Sequence, residues 1–166
     1  MDIALDVGGL PRGRIAEIYG PPASGKTTLV QHIVTEAQKR GNNVIFIDME
    51  HCLDPRYAER CGIMLKDVLL AQPKTGEEAL QIAKRSLNSG DIDLVILDSI
   101  AALVTRAEIK APSLRPAAGE INRLLPLAFR EISLACIRNN ASLICTNQLR
   151  KRLKTGYGPS ETTPGG

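Results

Sequence analysis

Gly20-Pro-Pro-Ala-Ser-Gly-Lys-Thr27 is the stretch that decides how this chain is read. The octapeptide matches G-x-x-x-x-G-K-[ST] in full, and the pattern has a mechanism. A glycine-rich turn exposes backbone N–H groups that cradle a polyphosphate. A lysine placed like Lys26 reaches the outer phosphates, and a hydroxyl placed like Thr27 ligates Mg2+. Gly20, Pro21, Pro22, Ala23, Ser24, Gly25, Lys26, Thr27 and the adjoining Thr28 are therefore candidate nucleotide contacts.

Both flanks agree. Ile15–Tyr19 is a short strand-like run. After the loop, Leu29, Val30, Ile33, Val34 and Ala37 recur at helical spacing. Strand, loop and helix in that order aim the positive end of the helix at the phosphates.

The chain has 166 residues, 43% of them hydrophobic, enough for one domain with a core. No apolar run approaches the roughly 20 residues of a membrane-spanning helix. Met1-Asp-Ile-Ala-Leu-Asp6 lacks the basic-then-apolar order of a secretion signal. Cys52, Cys61, Cys136 and Cys145 form no C-x-x-C pair, which argues against zinc or a disulfide framework. Cys145 lies in an apolar run and reads as packing. A cytoplasmic protein away from membranes is expected. Arg150, Lys151, Arg152 and Lys154 against Glu161 account for the whole formal net charge of +3, so the basic excess sits in the Gly- and Pro-containing stretch 149–166.

Apolar runs at Val44–Asp48, Val68–Ala71, Leu94–Asp98 and Ser142–Thr146 read as further strands. Most are continuous rather than alternating, as in strands buried on both faces of a parallel sheet. Helical patterns cover Thr27–Arg40, Pro55–Cys61, Gly76–Asn88 and Glu120–Asn139, with Gly41 and Gly90 placed as C-caps. The alternation predicts an α/β fold with right-handed crossovers. Segments 110–119 and 148–166 have no period and read as loops. Pro126 predicts a kink in the last helix or a later start for it.

Hydrolytic phosphoryl chemistry also needs a metal site and a positioned water. Asp98 ends a buried strand, where a carboxylate can bind Mg2+. Glu50 follows another. If that strand lies near the one before the phosphate loop, Glu50 comes close to the terminal phosphate and can activate water. By spacing alone it reads equally as a surface acid. Gln148 at the end of the last strand is either a phosphate-sensing amide or a plain loop residue.

Beyond these separate features, the chain resembles the bacterial RecA recombinase family. The resemblance runs from Gly8-Gly-Leu-Pro11 to Gly166. It is carried most specifically by Val44-Ile-Phe-Ile-Asp-Met-Glu-His-Cys-Leu-Asp-Pro-Arg-Tyr-Ala58, Gln72-Pro-Lys-Thr-Gly-Glu77, Asp98-Ser-Ile-Ala-Ala-Leu103, Asn147-Gln-Leu-Arg150 and Glu161-Thr-Thr-Pro-Gly-Gly166. It implies an α/β P-loop NTPase of RecA type, with a mostly parallel central sheet and helices on both faces. Residues 1–166 would form one ATPase core domain, incomplete at the C-terminus.

The implied activity is ATP- and Mg2+-dependent DNA strand exchange by a filament on single-stranded DNA, with duplex DNA as second partner, in repair and the response to DNA damage. By the same likeness Glu50 activates water, Asp98 is the Walker B acid, and Asp54 and Tyr57 contact adenine. Gln148 senses the terminal phosphate, and segments 110–119 and 149–166 bind DNA. Arg115, Arg150, Lys151, Arg152 and Lys154 are then phosphate contacts and Tyr157 a stacking residue, chemistry that a basic, glycine-flanked aromatic segment can supply. A solvated basic tail is the other reading of that charge run. The chain departs from the family in a first loop whose only charge between Ala111 and Ala118 is Arg115, in Pro126, and in starting and stopping inside the family's length. Two alternatives stand beside this one: another ATPase of the same fold, such as a hexameric helicase or a KaiC-like protein, and a nucleotide- or DNA-binding fragment without catalysis.

Overall fold

A computed structural model describes residues 9–110, 120–151 and 161–164. The strands are β1 (Ile15–Gly20), β2 (Val44–Asp48), β3 (Val68–Ala71), β4 (Leu94–Asp98), β5 (Ser142–Gln148), β6 (Arg150–Lys151) and β7 (Glu161–Thr162). The helices are α1 (Lys26–Lys39), α2 (Pro55–Arg60), α3 (Gly76–Ser89), α4 (Arg106–Lys110) and α5 (Glu120–Asn139). Strands β1 to β5 form one sheet in the order β1-β5-β4-β2-β3, every pair parallel.

The continuous apolar runs of β2, β4 and β5 hide a period of two, because both faces of these central strands are covered. The edge strand β3, by contrast, leaves Leu69 and Leu70 exposed. Val44 and Phe46, Leu94 and Ile96, and Ile144 face one layer, where they meet Val30 and Val34 of α1 and Ala58 of α2. Ile45 and Ile47, Val95 and Leu97, and Leu143 and Cys145 face the other. There they meet Ala79, Leu80, Ala83 and Leu87 of α3 and Ile132, Ala135 and Cys136 of α5. A parallel sheet between helical layers is the fold expected from the alternation.

Several details differ from expectation. Pro126 does not delay α5, which runs through it from Glu120. Leu125 beside it is buried, and packing holds the turn that the missing N–H weakens. Lys110 ends the short helix α4 rather than opening a loop. Thr105 starts that helix with a capping box. Its hydroxyl accepts from Glu108 N at 3.2 Å, and Glu108 Oε2 accepts from Thr105 N at 2.7 Å. Segment 148–166 is not wholly irregular, since β6 and β7 pair antiparallel, Arg150 with Thr162 and Lys151 with Glu161. No helix among the described residues is long and apolar enough to cross a membrane.

Candidate functional site

The phosphate loop joins β1 to α1 at the C-terminal edge of the sheet, where parallel α/β sheets bind ligands. Gly25 takes the N-cap position of α1 with φ 82, a left-handed conformation that suits glycine. A Cβ on Gly20 would lie 3.0 Å from Ser24 Oγ, too close without a shift of Ser24. Gly25 brings no side-chain cap, which leaves the first N–H groups of α1 for an anion. Lys26 Nζ donates to the carbonyls of Gly20 at 3.2 Å and Pro21 at 2.9 Å, so the ammonium is held at the mouth of its own loop.

A cavity of about 420 Å3 opens here. Pro22, Ala23, Ser24, Gly25, Lys26, Thr27, Thr28, Glu50, Asp98 and Gln148 line it. Register explains how distant residues meet. Gly20 pairs with Gln148 across β1 and β5, and Asp48 pairs with Asp98 across β2 and β4. Glu50 and Ser99 therefore leave neighbouring strand ends together. Strand β2 is not near the phosphate-loop strand, as β5 and β4 lie between them. Glu50 reaches the cavity by its position beside the end of β4.

Asp98 is 4% exposed. Its Oδ2 accepts from Thr27 Oγ1 at 2.8 Å and its Oδ1 from Thr146 Oγ1. Burial raises its pKa above the ordinary 3.8, the two threonine hydroxyls oppose the rise, and the charges of Glu50 and Asp48 add to it. Thr27 and Asp98 are hard oxygen donors. They fit Mg2+, which takes one or two protein oxygens and completes its shell with substrate phosphates and water.

The Glu50 carboxylate accepts from Ser99 Oγ at 2.6 Å and from Gln148 Nε2 at 3.5 Å, both on Oε1. Leu149, the next residue, donates its N–H to the Gly20 carbonyl at 3.1 Å. That carbonyl also accepts from Lys26, so the foot of the basic segment and the phosphate loop share one acceptor. Asn147, 1% exposed, clamps the same edge. Its Nδ2 donates to Glu17 Oε1 at 2.7 Å and to the Pro164 carbonyl at 2.9 Å.

Asp54 and Tyr57 lie outside the cavity lining. Asp54 caps α2, accepting from Arg56 N at 2.9 Å. Tyr57, 40% exposed, sits beside the phosphate loop, its hydroxyl 3.1 Å from Thr28 Oγ1. Of the candidate DNA contacts, Arg150 and Lys151 form β6, while Arg115, Arg152, Lys154 and Tyr157 fall outside the described residues. Sequence reasoning missed Ser99, Thr146 and Asp48, and it took Asn147 with Gln148 as a strand-tip amide rather than as the clamp on Glu17 and Pro164. The buried Asp48 organises the Glu50 turn by accepting from Leu53 N and Gln72 Nε2, each at 3.1 Å.

The model of the RecA N-terminal domain family matches residues 1–166. The chain is 50% identical to Protein RecA of Herpetosiphon aurantiacus over 166 residues, 100% of this chain and 46% of that protein. It is 49% identical to Protein RecA of Chloroflexus aggregans, covering 100% of this chain and 47% of that one. For Protein RecA of Thermus thermophilus the identity is 46%, over 100% of this chain and 49% of that one. The chain thus spans about half the length of these curated relatives. A crystal structure of the RadB recombinase superposes with TM-score 0.64 at 26% identity, covering 92% of this chain and 69% of that chain.

Proposed function

The chain belongs to the RecA family, and from that premise we propose that it is the ATP-hydrolysing core of a cytoplasmic DNA recombinase. The whole protein assembles as a filament on single-stranded DNA and pairs it with duplex DNA during strand exchange in repair. Residues 1–166 act as one ATPase core domain, and segments 110–119 and 149–166 carry the DNA contacts.

The observation that carries this reading is the convergence of Lys26, Thr27, Glu50, Asp98 and Gln148 on one cavity. Such a set suits phosphoryl transfer to water, where positioning and electrostatic stabilisation do most of the catalysis. The loop N–H groups and Lys26 hold the β- and γ-phosphates. Mg2+ bound at Thr27 and Asp98 would neutralise phosphate charge. Glu50, fixed on one oxygen by Ser99, orients the attacking water and takes its proton. Gln148 senses the γ-phosphate and passes its position to Leu149 and the basic segment beyond. Tyr57 stacks on adenine and Asp54 contacts it. Arg115, Arg150, Lys151, Arg152 and Lys154 neutralise DNA phosphates, and Tyr157 stacks on bases.

ATP hydrolysis by the full-length protein is the test. It should rise when single-stranded DNA is added, and electron microscopy should show open filaments. DNA that changes neither hydrolysis nor ATP affinity would overturn the recombinase reading, and closed rings would favour a helicase-like ATPase.

A further inference from the structure

The two oxygens of Glu50 have different neighbours. Oε1 takes the short bond from Ser99 and the longer one from Gln148. Oε2 faces the thiol of Cys52, whose Sγ lies 3.7 Å away. The backbone sets this contact. His51 between the two residues adopts φ 52, in the left-handed region that non-glycine residues seldom take. Cys52 N donates to the buried Asp48 carboxylate at 3.4 Å and Leu53 N does so at 3.1 Å, which closes the turn around the acid.

Partial burial, with the charges of Glu50 and Asp48, pushes the Cys52 thiol up to about 11. At neutral pH it is a donor and not a thiolate. Cys52 is exposed and has no place in the core, so packing gives no reason for a thiol here.

We propose that Cys52 is a positioning residue for Glu50, donating its S–H to Oε2 and fixing the rotation of the carboxylate about the Ser99 bond. The inference rests on Glu50 being the carboxylate that activates water. A thiol is a weak donor and a hydroxyl a strong one. Oε1 is therefore committed to Ser99, while Oε2 is aimed but keeps its basicity for the water proton. The pair makes the two oxygens chemically unequal.

Steady-state ATP hydrolysis by the full-length protein with single-stranded DNA tests this. Cys52→Ala should lower kcat about three- to tenfold, the range of one modest hydrogen bond, with KM for ATP changed by less than about twofold. Cys52→Ser restores a donor and should recover only part of the loss, because the stronger hydroxyl bond aims Oε2 but lowers its basicity. Infrared spectroscopy gives a readout apart from turnover. The S–H stretch that vanishes in Cys52→Ala should lie below that of a free thiol and move up in Glu50→Ala. Wild-type kcat in Cys52→Ala, equal losses in the Ala and Ser variants, or an S–H band that ignores Glu50→Ala would each overturn the proposal. Glu50→Gln separates the levels. If it abolishes turnover while both Cys52 variants match the wild type, only the role of Cys52 fails. If it turns over normally, the assignment of Glu50 fails as well.

Discussion

Thr27 Oγ1 donates to Asp98 Oδ2 at 2.8 Å, joining residues 71 positions apart. The bond spans the end of β5, which separates β1 from β4. Thr146 on that intervening strand holds the other carboxylate oxygen. The pair proposed to hold Mg2+ is thus brought together by the protein itself. Thr27→Ala removes one oxygen donor and should raise the Mg2+ concentration for half-maximal nucleotide binding by about tenfold, the effect of losing one charge-assisted contact. A Mg2+ titration with a fluorescent ATP analogue measures it.

Asp98 carries an opposite effect on stability. Its pKa is raised by burial, so the folded chain holds this proton more tightly than the unfolded chain. Stability from this group falls as pH rises from the ordinary value of 3.8 to the higher folded value, and the full cost persists above that. Asp98→Asn removes the charge at nearly the same shape. One threonine hydroxyl keeps donating to the amide oxygen, and the other can rotate to accept from the new NH2. Without Mg2+ at neutral pH its Tm should equal or exceed that of the wild type, while metal-dependent ATP binding is lost. Thermal unfolding across pH, with and without Mg2+, separates the two effects.

Lys26 is held by two loop carbonyls, close to where phosphate oxygens are expected. Lys26→Ala should weaken ATP binding by about a hundredfold, since charge-assisted bonds are worth about 1.5–3 kcal/mol each. Calorimetry on the variant checks this, and unchanged affinity would exclude the loop from nucleotide binding.

Gln148 touches Glu50 on one side and precedes the residue bonded to Gly20 on the other. Gln148→Ala should therefore bind ATP within about threefold of wild type yet lose the difference in DNA affinity between ATP and ADP states. Fluorescence anisotropy of a labelled single-stranded oligonucleotide reports that difference.

The charge of segment 149–166 makes a salt prediction. Arg150, Lys151, Arg152 and Lys154 are four cations. If each meets a phosphate, they contribute about −2.8 to the slope of log affinity against log salt, at about −0.7 per contact on single strands. Changing Arg152 and Lys154 together to Ala should flatten the measured slope by about 1.4.

Much of this architecture could be read directly from the residues. The phosphate loop, the strand carrying Asp98 and the main helices rest on local signals: a motif, a period, a cap. The helix at Arg106–Lys110 was not among the expected elements, although Thr105-Arg-Ala-Glu108 spells a capping box. Other features could not be read that way. Ser99 meets Glu50 across 49 positions, and Asn147 meets Glu17 across 130. Those pairs depend on strand order, and no local period encodes that β5 lies between β1 and β4. Segment order alone likewise suggested that Glu50 needed β2 beside β1, whereas the register of Asp48 with Asp98 brings it in by another route.

The sheet is also a partition. Val34 and Leu87 are both fully buried, but they belong to apolar layers on opposite sides of it. Truncating both should cost the sum of the separate losses to within about 0.5 kcal/mol, whereas truncating Val34 with its layer-mate Phe46 should depart from additivity. A loss on the α3–α5 side then adds to a loss on the α1 side without amplifying it. The two halves of the core then differ in which substitutions couple, while both draw on the same small global stability.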